Sequence, residues 1–337
     1  MTAGYQRRSD RVEVDRVLVS CGVDLPSIAS VEELTEGTFN TVHLIHLRDG
    51  SGLVLKISPT SGTPLMTYES GLTHAEAVFY RAAAPLPSVP TPEVVHADFT
   101  RSVVDGDVLL YQERPGHSWH SRRDRIEPTD RARLRCDLGR MVAALHRVTG
   151  DGFGYPRAHV ALARDWPEAV DGMFGALFAD AERFAAPLPL PVADLAELVR
   201  ANRDVLADVH TPKLVHFDLW NGNILVDFGH GRPEIGGLID GERAFWGDPV
   251  ADFVSLALLS DIEKDTDFLT GYREAGGTVT FDDQTRRRLS LYRCYLYLIM
   301  LVESVPRGYP ERERAALHRM VGPPMRTELD VLAGSGQ

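Results

Sequence analysis

A histidine, an aspartate and an asparagine stand at fixed intervals in Leu214-Val-His-Phe-Asp-Leu-Trp-Asn-Gly-Asn-Ile-Leu-Val226. The H-x-D-x-x-x-x-N spacing of His216, Asp218 and Asn223 puts an acid and an amide on one loop between two short apolar strands. Phosphoryl transfer gives those residue types separate tasks: the aspartate orients an attacking hydroxyl and accepts its proton, and the asparagine offers an oxygen to magnesium. His216 reads as a brace for the loop. Asp240, at the end of the apolar run Gly237-Leu-Ile239, stands where a second metal-binding carboxylate is wanted. Magnesium prefers hard oxygen ligands and keeps several waters, so one Asp, one Asn and phosphate oxygens suffice.

These loops need elements to position them. From Val31 to Glu113 the chain has strand character. Thr41 to Leu47 alternates apolar and polar residues, Arg48 to Gly52 is turn chemistry, and Leu53 to Ile57 completes a hairpin. A helix is expected over about 69–84, a proline-rich loop over 85–92, and further strands over 94–98 and 108–112. After Pro115-Gly116 the character changes. Helices are expected over 131–148, 166–184 and 194–209, short strands and loops between Lys213 and Asp240, and helices again from Pro249. Leu289 to Val305 reads as a buried amphipathic helix. Strands followed by helices predict an α+β fold with two lobes rather than a doubly wound sheet. The expected division is residues 1–114 for a nucleotide-binding lobe and 115–332 for a helical lobe with the catalytic loop and acceptor site. Residues 333–337 are expected to be a disordered tail.

Two segments, Val215-His-Phe-Asp-Leu-Trp-Asn-Gly-Asn-Ile-Leu-Val226 and Ile239-Asp-Gly-Glu-Arg-Ala-Phe-Trp-Gly-Asp-Pro-Val-Ala-Asp-Phe253, carry a resemblance to a known family. The chain resembles the aminoglycoside phosphotransferases, the small-molecule branch of the protein-kinase-like fold. Related branches act on choline, homoserine, methylthioribose, fructosamines and macrolides. The resemblance extends in weaker form from about Leu34 to Glu303, and it implies roles upstream. Leu34 to Val42 matches the short loop that closes over the nucleotide phosphates, with Gly37, Thr38, Phe39 and Asn40 as contacts. Gly37 would let the backbone approach closely. Lys56 takes the place of the lysine that contacts the α- and β-phosphates. Glu76 is the helix glutamate that positions it, with Glu69 as a rival. Gln112, Glu113 and Arg114 fit the hinge whose backbone reads the adenine edge. Asp252 is implied as a structural brace for the catalytic loop, and Asp248 as structural. The resemblance also implies ATP or GTP as co-substrate and magnesium, as two ions. One departure stands out: an aromatic residue often follows the metal-binding aspartate, and here Gly241 does, which is expected to loosen local packing.

On the acceptor side, Trp220 could line the pocket beside Asp218 or pack the catalytic loop. Asp261, Glu263, Asp265 and Glu303 could receive ammonium groups of a cationic acceptor or be solvated helix surface. The formal net charge of −12 would suit such an acceptor, although many soluble proteins are this acidic. The same balance argues against a nucleic-acid partner. Cys21, Cys136 and Cys294 form no C-x-x-C pair, which disfavours a disulfide framework and a cysteine zinc site. No signal-peptide core or membrane-length apolar run is present, so a cytoplasmic protein is expected. No Ala-Pro-Glu follows Asp240 and the stretch to Pro249 is too short for an activation segment, which disfavours a protein kinase. The expectation is an O-phosphotransferase acting on a hydroxylated small molecule, with an antibiotic as one acceptor class. A metabolite kinase and a non-catalytic kinase-like binding protein remain as alternatives.

Overall fold

The structure, a computed structural model, describes Tyr5, Arg7 and residues 9–35, 37, 39–158, 160–229 and 231–334. Thr38 of the expected phosphate loop and residues 335–337 of the expected tail lie outside the described residues.

The first lobe is a five-stranded antiparallel sheet. Its strands are β1 (Ile28–Leu34), β2 (Thr41–Leu47), β3 (Gly52–Ile57), β4 (Val94–Asp98) and β5 (Val108–Gln112), in the order β1-β2-β3-β5-β4. Alternation along β2 and β3 gives the sheet two apolar faces. One face, with Ile45, Leu53, Leu55, Ile57 and Leu110, packs on Val14, Val17 and Leu18 of helix α1 (Arg11–Ser20). Asp10 caps α1 by accepting from the Glu13 amide. The other face carries helix α2 (Leu72–Ala83). The helix expected over 69–84 breaks into a 3-10 turn at Thr67–Glu69 and α2 proper, because Gly71 takes φ 88° between them.

The second lobe begins with a two-residue strand β6 (His117–Ser118) and a short helix α3 (Trp119–Arg122). It continues with α4 (Pro128–Leu145), α5 (Trp166–Arg183) and α6 (Val192–Ala201). The helix expected over 194–209 ends at Ala201 and gives way to a 3-10 turn at Arg203–Leu206. Strands β7 (Lys213–Val215), β8 (Ile224–Asp227), β9 (Glu234–Leu238) and β10 (Phe245–Gly247) hold the loops of interest, with β7 paired to β10 and β8 to β6 and β9. Helices α7 (Asp252–Leu256), α8 (Thr266–Glu274), α9 (Asp283–Glu303) and α10 (Glu311–Leu332) complete the lobe. Buried Leu289, Leu291, Tyr292, Tyr295, Leu298 and Val302 make α9 the centre of this lobe's core. Ala333 caps α10. No helix among the described residues is long and apolar enough to cross a membrane.

Candidate active site

The two loops that carry the aspartates are fixed from behind. The buried Asp252 carboxylate at the start of α7 accepts from the Phe217 amide at 2.7 Å and the His216 amide at 3.2 Å. His146 of α4 lies 2.9 Å from the same carboxylate, and Ser255 Oγ accepts from the Leu219 amide at 3.0 Å. These bonds hold Phe217 at φ 62°, an unfavourable backbone for a bulky residue. His216 closes the other side. Its Nδ1 accepts from the Asp218 amide at 3.2 Å, so its Nε2 carries the proton and donates to the Ile239 carbonyl at 3.0 Å. His216 thus ties the Asp218 loop to the strand end before Asp240.

Asn223 donates its amide Nδ2 to the Asp218 carbonyl at 2.8 Å and to Asp218 Oδ2 at 3.2 Å. That orientation leaves its amide oxygen available as a ligand. Asp240 also adopts a left-handed backbone, with φ 64°. Its amide donates to the Tyr80 hydroxyl at 3.0 Å, and that hydroxyl donates to Glu76 Oε1 at 2.7 Å. Lys56 Nζ completes the junction between the lobes, at 2.8 and 2.9 Å from the two Glu76 oxygens and 2.6 Å from Asp240 Oδ1. Glu69 does not take part in it: its carboxylate lies 2.7 Å from Arg307.

Burial would raise the Asp240 carboxyl, but the Lys56 ammonium outweighs it and holds the group below its ordinary value. The Asp218 carboxyl moves the other way. Burial raises it, and the Arg243 guanidinium, 3.9 Å away, only partly offsets the shift. Glu242 is pushed up to about 8 by burial and by the neighbouring Asp240 charge.

The donor set fits a divalent cation. Glu76, Asp240 and Glu242 bring carboxylate oxygens within 4.8 Å of one another, and Asn223 lies on the adjoining loop with its Nδ2 bonded to Asp218. These are the hard ligands magnesium takes.

The other expected site residues are more scattered. Gly37 is exposed between β1 and β2. Phe39 turns inward, packed against Tyr5 at 6.0 Å and beneath the Arg307 guanidinium at 5.8 Å. Asn40 is buried and donates to Glu242 Oε2 at 2.9 Å, which links the loop to the residue pair after Asp240. At the hinge, the Gln112 and Glu113 amides are already donated to the Glu93 and Gly52 carbonyls, and the Arg114 side chain bonds the Gly236 carbonyl. Trp220 is 36 % exposed beside Asp218, with its ring 5.4 Å from that of His120. Asp261 caps a 3-10 turn, Glu263 pairs with Arg286, and Asp265 caps α8 and bonds Arg135. Glu303 is buried and accepts from Tyr68, with Arg243 and Arg307 at 3.0 and 3.1 Å.

The motifs gave no role to Tyr80, Arg243, Tyr68, Arg307 or Ser255, which stand around the site, although Arg243 lies within the second of them. The looser packing expected at Gly241 is absent. A Cβ there would meet the Phe79 ring at 2.4 Å, because Phe79 from α2 fills the space an aromatic would have taken and rests edge-on against His216 at 4.9 Å.

A strand-rich lobe hinged to a helical lobe, with a lysine–glutamate pair facing an aspartate–asparagine loop, has the architecture of protein-kinase-like phosphotransferases. Residues 30–292 match the phosphotransferase enzyme family (APH), and the chain belongs to that family of small-molecule phosphotransferases. No curated protein matches it in sequence. Among solved structures it is similar to aminoglycoside phosphotransferase APH(4)-Ia, at 18 % identity and TM-score 0.64 over 97 % of this chain and 100 % of that one. A putative fructosamine-3-kinase from Thermobifida fusca aligns at 21 % identity and TM-score 0.61, over 89 % and 94 %. Macrolide 2'-phosphotransferase MphH from Brachybacterium faecium aligns at 19 % identity and TM-score 0.56, over 91 % and 97 %. At these identities the likeness speaks for the fold.

Proposed function

We propose that the protein transfers the γ-phosphoryl group of ATP or GTP to a hydroxyl of a small molecule. The observation that carries this reading is the junction of Lys56, Glu76 and Asp240 between the lobes, with Asp218 and Asn223 on the adjoining loop. The acceptor oxygen attacks the γ-phosphorus, the bond from that phosphorus to the bridging oxygen breaks, and the nucleoside diphosphate leaves. Asp218 orients the hydroxyl and takes its proton; a carboxyl raised by burial is better matched to that task than an ordinary one. Lys56, set by Glu76, steadies the α- and β-phosphates. Asn223 and Asp240 would hold magnesium, as two ions, which neutralises charge on the phosphates when bound. Positioning and charge neutralisation supply most of the acceleration.

In this reading residues 1–114 bind the nucleotide and 115–332 hold the catalytic loop and the acceptor. A cytoplasmic location, where nucleoside triphosphate is at hand, fits it. Hygromycin B bound with ADP to a thermostable mutant of APH(4)-Ia, and the fructosamine-3-kinase and macrolide phosphotransferase among the similar structures, support a hydroxylated small molecule. An antibiotic and a metabolite are both compatible with that, and the acceptor decides between resistance and metabolism. The test is a nucleotide-turnover screen with ATP and GTP against hydroxylated antibiotics and metabolites. Asp218→Ala should lower transfer at least about a thousandfold, as loss of an essential positioned base does, with circular dichroism unchanged. Near-full activity of that variant would sink the mechanism.

A further inference from the structure

Among the described residues, the carboxylates around the acceptor side of Asp218 are committed. Glu303 lies between Arg243 and Arg307 and accepts from Tyr68. Glu69 takes Arg307 at 2.7 Å. Farther along the chain, Asp261, Glu263 and Asp265 are held by caps, Arg286 and Arg135. An ammonium group entering here would meet carboxylates that already have partners, Asp218 included, whose Oδ2 accepts from Asn223 and whose Oδ1 lies 3.9 Å from Arg243.

Among the described residues, one cation in this part of the second lobe has no carboxylate partner. Arg157 lies on the loop between α4 and α5, two residues after Tyr155. Its guanidinium carbon is 5.5 Å from the Tyr155 ring centroid, and its Nε is buried with no hydrogen-bond partner among the described residues. Among the described residues it has no ion pair. The loop is anchored: His74 Nδ1 lies 2.9 Å from the Pro156 carbonyl, and the Arg157 stem passes beside Gly71. The Tyr155 ring ties this arginine to the catalytic loop. It sits 6.3 Å from the Tyr68 ring, its hydroxyl is 3.3 Å from that of Tyr295, and the charges of Arg157, Arg243 and Asp218 all reach its phenol. Tyr68 in turn lies 6.0 Å from the Arg243 guanidinium carbon.

We propose that the acceptor is a hydroxylated molecule bearing an anionic group, a carboxylate or a phosphate, and that Arg157 receives that group while Asp218 takes the hydroxyl. The assignment rests on the phosphotransfer reading above and narrows its substrate class. Arg157 is half-buried, so its guanidinium remains within reach of a ligand, an anionic oxygen would supply the charged partner it lacks, and the flat fork suits carboxylate and phosphate equally. Trp220, exposed two residues after Asp218, offers an apolar face near the hydroxyl end.

The test uses the full chain with magnesium and three sets of hydroxylated probes: anionic (gluconate, 3-phosphoglycerate), neutral (methyl glucoside) and polycationic (an aminocyclitol). Binding is followed by calorimetry in the presence of a non-hydrolysable ATP analogue, and transfer by mass spectrometry with ATP. Anionic probes should bind best. Arg157→Gln should weaken their binding, and raise their KM, at least tenfold, while the KM for ATP moves less than twofold. Arg157→Lys, which keeps the charge, should recover part of the loss and serves as a folding control. Gluconate and 3-phosphoglycerate separate the two anion sources. Preference for neutral or polycationic probes, anionic probes that fail to bind, or an Arg157→Gln effect confined to ATP would each overturn the assignment. Arg157-dependent binding of anions without transfer to any probe would uphold it and count against the phosphotransfer reading instead.

Discussion

Asp218 and Asp240 are the same residue on neighbouring loops, joined through His216, yet the fold treats them in opposite ways. Asp240 has the Lys56 ammonium at 2.6 Å and is held below the ordinary carboxylate range. Asp218 has the Arg243 guanidinium only at 3.9 Å, and burial raises it. In the proposed function Asp240 holds a metal and Asp218 takes up a proton, and those two tasks call for different environments. The lobe boundary provides them: Lys56 reaches across from β3 to Asp240, and its ion pairs with Asp240 and Glu76 leave Asp218 to the second lobe's Arg243.

The contrast can be broken at several points. Asp252→Asn should have the largest effect. The Phe217 and His216 amides would lose a charged acceptor, at a cost of about 3 kcal/mol or more by analogy with hydrogen bonds to charged groups. Urea denaturation should register that loss, and activity should fall because the Asp218 loop is released while the Lys56–Asp240 junction stays. Lys56→Met comes next, and should erase the contrast by letting the Asp240 carboxyl rise toward that of Asp218. We expect a ten- to hundredfold fall in kcat/KM for the nucleotide, about 1.4–2.8 kcal/mol, measured by coupled ADP release. The accompanying loss of stability is softened because Glu76, already raised by burial, can take a proton. Gly241→Ala should cost about 1–2 kcal/mol through overpacking against Phe79, read as a lowered Tm, with Asp240 disturbed more than Asp218.

The smallest effect is a remote control that leaves both aspartates untouched. His43 on β2 is buried with its Nε2 unpartnered, and burial holds its imidazole below the ordinary value against the opposing pull of Glu33 and Glu13. The unfolded chain therefore binds the extra proton first as pH falls. This group's contribution to stability is complete above about 6.5 and declines as pH drops from there to the lowered folded value. Urea midpoints at pH 7 and pH 5 should differ less in His43→Leu than in the parent chain.

The sequence showed these two regions unequally for a physical reason. Asp218, Asn223 and Asp240 occur in motifs whose spacing is set by short strands and tight loops, so the chemistry is local. Lys56 and Glu76 were readable because a hairpin strand and the next helix bring them together over a separation of 20 residues. The acceptor side has no such shortness. Tyr68 meets Glu303 across 235 residues, Asn40 meets Glu242 across 202, and Arg307 meets Glu69 across 238. No window along the chain could reveal that Glu303 is already paired, or that Arg157 has no ion pair among the described residues. Helix α1 was hidden differently. Its run Arg11-Val-Glu-Val-Asp15 alternates like a strand, while the residues it buries, Val14, Val17 and Leu18, follow the helical period. The broken helix before α2 turned on one glycine taking φ 88°.

Phe217 bears on how freely this site could change. Its φ of 62° suggests glycine as the relaxed choice, worth roughly 1–2 kcal/mol of backbone strain. Its ring is 1 % exposed and packs 5.1 Å from Phe245 and 5.9 Å from Tyr295, and emptying such a site costs about 3–5 kcal/mol. The lost packing outweighs the relieved strain, so glycine, the relaxed backbone choice before Asp218, would cost more than it returns.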